Sequence, residues 1–98
     1  MNRKNDMPVY VLFRFSKKTG KIDTTMTGIT SAMMELWAMQ NTTKTKGTLI
    51  INRDTGAVKM AVTGTADGWP KIKKDCGRCD KYGIPFEALQ AITDDRFD

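Results

Sequence analysis

Histidine is absent from the 98 residues. With it goes the usual general base near neutral pH and the commonest metal ligand. Cysteine occurs twice and proline three times. No apolar run approaches the ~18 residues a membrane span requires. Val9 to Phe15 is interrupted by Arg14, and it is too short and too β-branched or aromatic for a signal peptide. A cytoplasmic protein is therefore expected, with its thiols reduced and no disulfide framework. The glycines are scattered turn residues, and no G-x-x-x-x-G-K phosphate loop occurs. Its acids sit mostly in turns and in the tail, where they make poor acid–base pairs. The expectation is a non-enzyme.

The chain holds 40% hydrophobic and 28% charged residues, a globular balance for one domain over residues 1–98. Its net charge of +5 is unevenly placed. Residues 1–59 carry ten Lys/Arg against four acids, and the remainder six against seven. A basic first part suggests an acidic partner, either nucleic acid or an acidic protein face.

Pattern predicts two hairpins. Pro8–Phe15 alternates as a strand, Ser16–Gly20 is a turn, and Lys21–Thr27 returns as a threonine-rich strand. Thr48–Arg53, the turn Asp54–Gly56 and Ala57–Thr63 repeat that plan. Thr19, Gly20, Ile22, Met26, Thr27 and Gly28 match Thr55, Gly56, Val58, Val62, Thr63 and Gly64 at an offset of 36 residues. Between the hairpins, Gly28 to Gln40 reads as a helix capped by the hydroxyl of Thr30 or Ser31. Ile29, Ala32, Met33, Leu36 and Trp37 form its core stripe, and Met34 and Met39 fall off that stripe. The expected fold is α+β: a four-stranded antiparallel sheet from tandem ββα-like units, packed by helices. In the second unit Ala66–Pro70 is a turn, Lys71–Asp75 a short helix begun by Pro70, and Phe86–Ile92 a last helix begun by Pro85. Residues 1–7 read as a loose arm.

Asp75-Cys76-Gly77-Arg78-Cys79-Asp80 is the most chemically specific stretch. Cys76 and Cys79 have the two-residue spacing of a zinc knuckle, with a glycine suited to the bend. They make half of a structural zinc site or, equally, two inert thiols. The other ligands would come from Asp67, Asp75, Asp80, Asp94, Asp95 or Asp98, from water, or from a second subunit. A thioredoxin-like redox role fails on context, because no βαβ unit surrounds the pair. Lys71, Lys73, Lys74, Arg78 and Lys81 cluster around it as partner-binding candidates, flanked by Trp69 and Tyr82. Lysines for phosphates and aromatics for bases would suit a nucleic-acid surface, which makes a small nucleic-acid-binding regulator the alternative reading.

In size and character the whole chain resembles the small inhibitors encoded by phages and mobile elements, of which anti-CRISPR proteins are the best-known group. The resemblance implies a binding protein acting by occlusion on a type II CRISPR effector nuclease. Cys76 and Cys79 are carried over as a candidate metal knuckle. Many such inhibitors are acidic mimics of DNA, whereas this chain is basic. Docking on an acidic lobe of the effector, or on its guide RNA, follows from that difference. An assembly accessory of a phage is a third reading.

Overall fold

The computed structural model describes residues 9–64, 70–82 and 85. The loose arm, the Ala66–Trp69 turn, the Phe86–Ile92 helix and the tail acids lie outside the described residues. Five strands form one antiparallel sheet: β1 (Tyr10–Ser16), β2 (Ile22–Gly28), β3 (Lys46–Asn52), β4 (Val58–Gly64) and β5 (Pro70–Lys74). Their spatial order is β2-β1-β3-β4-β5. One helix, α1 (Ala32–Asn41), and a 3₁₀ turn at Cys79–Tyr82 complete the described elements. The α+β class agrees with the sequence pattern, and the sheet has five strands where four were expected.

The offset of 36 residues recurs in three dimensions. β1 and β3 have the same length and the same relative bounds, as do β2 and β4. Each turn closes with a glycine at positive φ, 77° at Gly20 and 75° at Gly56, where only glycine avoids a Cβ clash. Gly20 N–H donates to the Ser16 carbonyl and Gly56 N–H to the Asn52 carbonyl, both at 2.8 Å. Thr19 Oγ1 accepts from the Lys21 amide, and Thr55 Oγ1 accepts from the Ala57 amide. Even the register shifts correspond, lying at Arg14/Phe15 and at Ile50/Ile51. Phe13 pairs directly with Leu49, its own counterpart in the repeat. The two hairpins are thus related by an approximate two-fold axis through the middle of the β1–β3 ladder.

Alternation along the strands builds a core on each face. Val11, Phe13, Phe15, Leu49, Ile51, Val58 and Ala61 cluster on one side, together with Cys79. Leu12, Ile50, Met60 and Val62 cluster on the other, under Met34 and Ala38 of α1.

Two sequence expectations are corrected here. Lys71–Asp75 is no helix: Pro70–Lys74 forms β5 on the edge of β4, pairing Ile72 with Val62 and Lys73 with Ala61. The open ladder of β4 offers backbone partners to these residues. A five-residue helix with three lysines would bury too little to compete. Pro70 is tolerated as the first residue of a strand. The helix stripe is also turned. Met34 and Ala38 point inward with Trp37 partly buried beside them, while Ile29, Met33 and Leu36 of the expected stripe are 52%, 75% and 49% exposed; Met39 is off the core, as expected. Seven of the ten residues of α1 are apolar, so pattern alone could not choose its face. Ala38 is fully buried, and its small side chain lets the helix close on the sheet. Ser31 occupies the N-cap position, but its hydroxyl donates to the Glu35 carboxylate (2.8 Å) rather than capping a backbone amide.

The repeat also sets up a comparison between equivalent glycines. A Cβ on Gly64 would stand 2.5 Å from the Thr43 carbonyl carbon, whereas the tightest contact of one on Gly28 would be the Met34 methyl at 3.3 Å, with the Thr30 carbonyl oxygen at an ordinary 3.9 Å. Gly64→Ala is expected to cost about 1–3 kcal/mol, and Gly28→Ala under about 1 kcal/mol, because a methionine tip yields and a backbone does not. Urea denaturation of both variants checks this; equal losses would contradict the close approach.

Candidate functional site

The cysteine segment is held by backbone pairing. Asp75 N–H donates to the Lys59 carbonyl (3.0 Å), Cys76 N–H to Val58 (3.3 Å), and Cys79 N–H to Gly56 (3.2 Å). Val58 N–H in turn donates to the Gly77 carbonyl (2.6 Å), and Ala57 bridges Arg78. Asp75 at φ 51° and Gly77 at φ 96° make the bends that lay the segment along the start of β4. Cys79 is fully buried in the apolar cluster, and the half-buried Cys76 packs against the same cluster. A buried thiol in such surroundings behaves as a small hydrophobe. Among the described residues no group of three or more His, Cys, Asp or Glu lies together. The candidate ligands Asp67, Asp94, Asp95 and Asp98 lie outside the described residues.

The five cations picked out from the sequence fall on separate surfaces. Lys71 and Lys73 project from β5 on the face opposite α1, since they pair with Thr63 and Ala61. Lys74 is on the α1 side, with its ammonium 4.0 Å from the Glu35 carboxylate. Arg78 lies at the far end of the sheet and donates to the Thr55 carbonyl (2.7 Å). Lys81 is in the 3₁₀ turn, beside Gly77. Trp69 and the Tyr82 side chain lie outside what is described.

A denser basic region forms where pattern reading did not place it. The β1–β2 turn brings Lys17 and Lys18 against Lys44 and Thr45 of the α1–β3 connection and Lys46 at the start of β3, and Ser16 completes the lining of the cleft between them. The two segments are tied together by the Lys17 amide, which donates to the Thr45 carbonyl (3.0 Å). Lys17 Nζ reaches across to the Gly64 carbonyl (2.9 Å) at the end of β4. The signal was present in the sequence as K-K-T-G-K and K-T-K-G, but only the fold puts those two runs side by side.

Asp23 anchors this end. Arg14 Nε donates to one of its carboxylate oxygens (2.9 Å), and Lys46 Nζ donates to the other (2.7 Å). Arg14 also donates to the Asn41 carbonyl at the C-terminus of α1 (3.3 Å), where a positive charge suits the helix dipole. Its guanidinium lies 5.7 Å from the centre of the Trp37 ring. The hydrogen bond from Arg14, helped by Lys46 and Thr24, holds the Asp23 carboxyl well below the usual carboxylate range against the opposing effect of burial.

Compared with models of protein families, with curated proteins and with solved structures, the chain matches none.

Because the folded-state value of Asp23 is depressed, its contribution to stability is present above the unfolded value of about 4. It is lost as pH falls from there through the folded value. The groups are about one-third exposed, so the pair is worth no more than about 1 kcal/mol. Asp23→Asn should lower stability by that amount at pH 7 and lose less than the parent between pH 5 and pH 2. Parallel acid-limb denaturation curves would show that the ion pairs contribute nothing.

Proposed function

We propose that the protein is a non-catalytic binding protein that acts by occluding a protein partner. The observation supporting this reading is the outer face of α1. Met33 and Leu36 are three residues apart on the outer side of the helix, 75% and 49% exposed, and Ile29, in the segment between β2 and α1, is 52% exposed. Next to them is an apolar groove between the end of β2 and the first turn of α1, lined by Met26, Ile29, Met33 and Trp37 among others. Single exposed apolar residues are ordinary, but a contiguous row marks an interaction surface. Its methionines can repack against irregular partner surfaces. On the same face of the sheet, at its other edge, Ile72 and Lys74 of β5 are exposed, with the Lys74 ammonium 4.0 Å from the Glu35 carboxylate of α1. A partner with an apolar groove and a carboxylate rim would complement both the row and the net charge of +5.

In its specific form, taken from the resemblance to anti-CRISPR proteins, the partner is a type II CRISPR effector nuclease or its guide-RNA complex. Co-purification with effector candidates, followed by a DNA-loading assay, tests that form. Met33→Asp combined with Leu36→Asp should weaken the complex at least tenfold while circular dichroism stays unchanged, since both side chains are solvent-facing. An unaltered affinity would remove the helix face from the proposal, and no complex with any effector would remove the effector.

A structural zinc belongs to the same proposal. Cys76 and Cys79 would supply two ligands, and the ion would tie the segment that carries Arg78 and Lys81 to the sheet. Elemental analysis should then find one zinc per chain, lost in Cys76→Ser and in Cys79→Ser, and a chelator should lower the melting temperature. Cys79→Val, which keeps the volume and removes the ligand, separates the possibilities. An unchanged melting temperature in that variant, without metal, would make the sulfur a packing group.

A further inference from the structure

The lysine-rich end of the sheet is independent of the helix face and has a different chemistry. The described carboxylates divide along the strands. Asp54, Asp75 and Asp80 lie with the β3–β4 turn and the cysteine segment, at the end where β1 and β4 begin. Glu35 lies on α1, near Lys74. At the opposite end the acid among the described residues is Asp23, and both of its oxygens are taken by Arg14 and Lys46. Lys17, Lys18 and Lys44 line the cleft there. Lys71 and Lys73 line a second cleft with Ala61 and Thr63, on the sheet face opposite α1. Lys17 links the two clefts through its bond to the Gly64 carbonyl, next to Thr63. The acceptor of that bond is a backbone carbonyl, not a carboxylate.

We propose that this end, through Lys17, Lys18, Lys44, Lys71 and Lys73, binds the phosphate backbone of nucleic acid without reading its sequence. Lining composition favours this partner over an acidic protein. Apart from Ala61, the side chains lining the two clefts end in ammonium or hydroxyl groups carried on lysine stems and threonine methyls, and no aromatic or branched aliphatic anchor is among the described lining residues. Protein interfaces exclude lysine from their centres and put aromatic or aliphatic anchors there. Nucleic-acid interfaces are polar and strongly positive. Of the described aromatic rings, Phe13 and Phe15 are buried in the core, Trp37 is engaged with Arg14, and Tyr10 sits at the opposite end. Contacts from this end therefore reach phosphates, which fix position but carry no sequence information.

Fluorescence anisotropy of the full chain with two DNA duplexes of unrelated sequence, between about 50 and 200 mM salt, tests the proposal. Both duplexes should bind within twofold of each other. Five lysines imply a log–log salt slope of about −4.5 and a several-hundred-fold loss of affinity over that range. Lys18→Gln with Lys44→Gln should reduce the slope by about two, whereas Lys59→Gln with Arg53→Gln should leave it unchanged. Exposed lysine substitutions of this kind rarely disturb folding, and circular dichroism verifies it. No binding at 50 mM salt, the same loss from both variant pairs, or equally tight binding of poly-glutamate would each overturn the proposal. Met33→Asp with Leu36→Asp should leave duplex binding intact, so the failure of the protein complex and the failure of this site are separate results.

Discussion

Phe13 and Leu49 face each other at the middle of the β1–β3 ladder, and the positions of the other strands follow from that pairing. Both side chains are almost wholly buried on the face away from α1. A slip of β1 by one residue against β3 would carry Leu12 out from under α1 and move Phe13 into its place, with Leu49 and Ile50 left facing the wrong partners. Two apolar layers of different volume make that exchange costly, so the register is held from both faces at once. Because Phe13 and Leu49 are equivalent in the repeat, the same constraint fixes both hairpins. Each then closes on a left-handed glycine with a matching set of turn hydrogen bonds.

The repeat ends where the two hairpins are continued. After β2 the chain forms α1, which covers Leu12, Ile50, Met60 and Val62. After β4 comes β5, which adds to the sheet instead of covering it. The divergence produces both proposed surfaces. A single helix that is apolar nearly all round must leave part of that character in water, as Met33 and Leu36 do. A strand at the edge presents alternate residues to opposite faces, so Lys71 and Lys73 part from Ile72 and Lys74. Lysines on an edge strand also discourage further strand addition. β5 therefore has a plain structural reason for its charge, besides any role in binding.

Sequence reading recovered what is local. Alternation, glycine-closed turns and the repeated spacing gave four strands to within two residues at most of their ends. The existence of α1 was equally legible, but its buried face was not. With Glu35, Gln40 and Asn41 as its polar residues, the helix offers several apolar stripes, and the choice is made by Ala38 fitting the sheet. β5 was misread because Pro70 begins helices as readily as edge strands, and only the open ladder of β4 decides between them. For the cysteines, the two-residue spacing suggested a knuckle. Four backbone hydrogen bonds to the Gly56–Lys59 segment and the burial of Cys79 are tertiary facts that spacing cannot reveal.

Charge shows the same limit more sharply. Counted along the chain, the basic excess belongs to the first 59 residues. In the folded sheet, the division among the described residues is by end, not by order. Lys71 and Lys73, from the nearly neutral part of the sequence, join Lys17, Lys18 and Lys44 because antiparallel pairing returns β4 and β5 to the end where β1 finishes. The apolar row on α1 and this lysine end lie on different sides of one rigid sheet. Charge there can steer a polyanion at long range, while the helix row acts only on contact. Taken together, the two proposed surfaces would suit a protein surface close to a nucleic-acid backbone. Arg14 connects the two regions physically, since it pairs with Asp23 at the basic end and stacks on Trp37 beneath the helix.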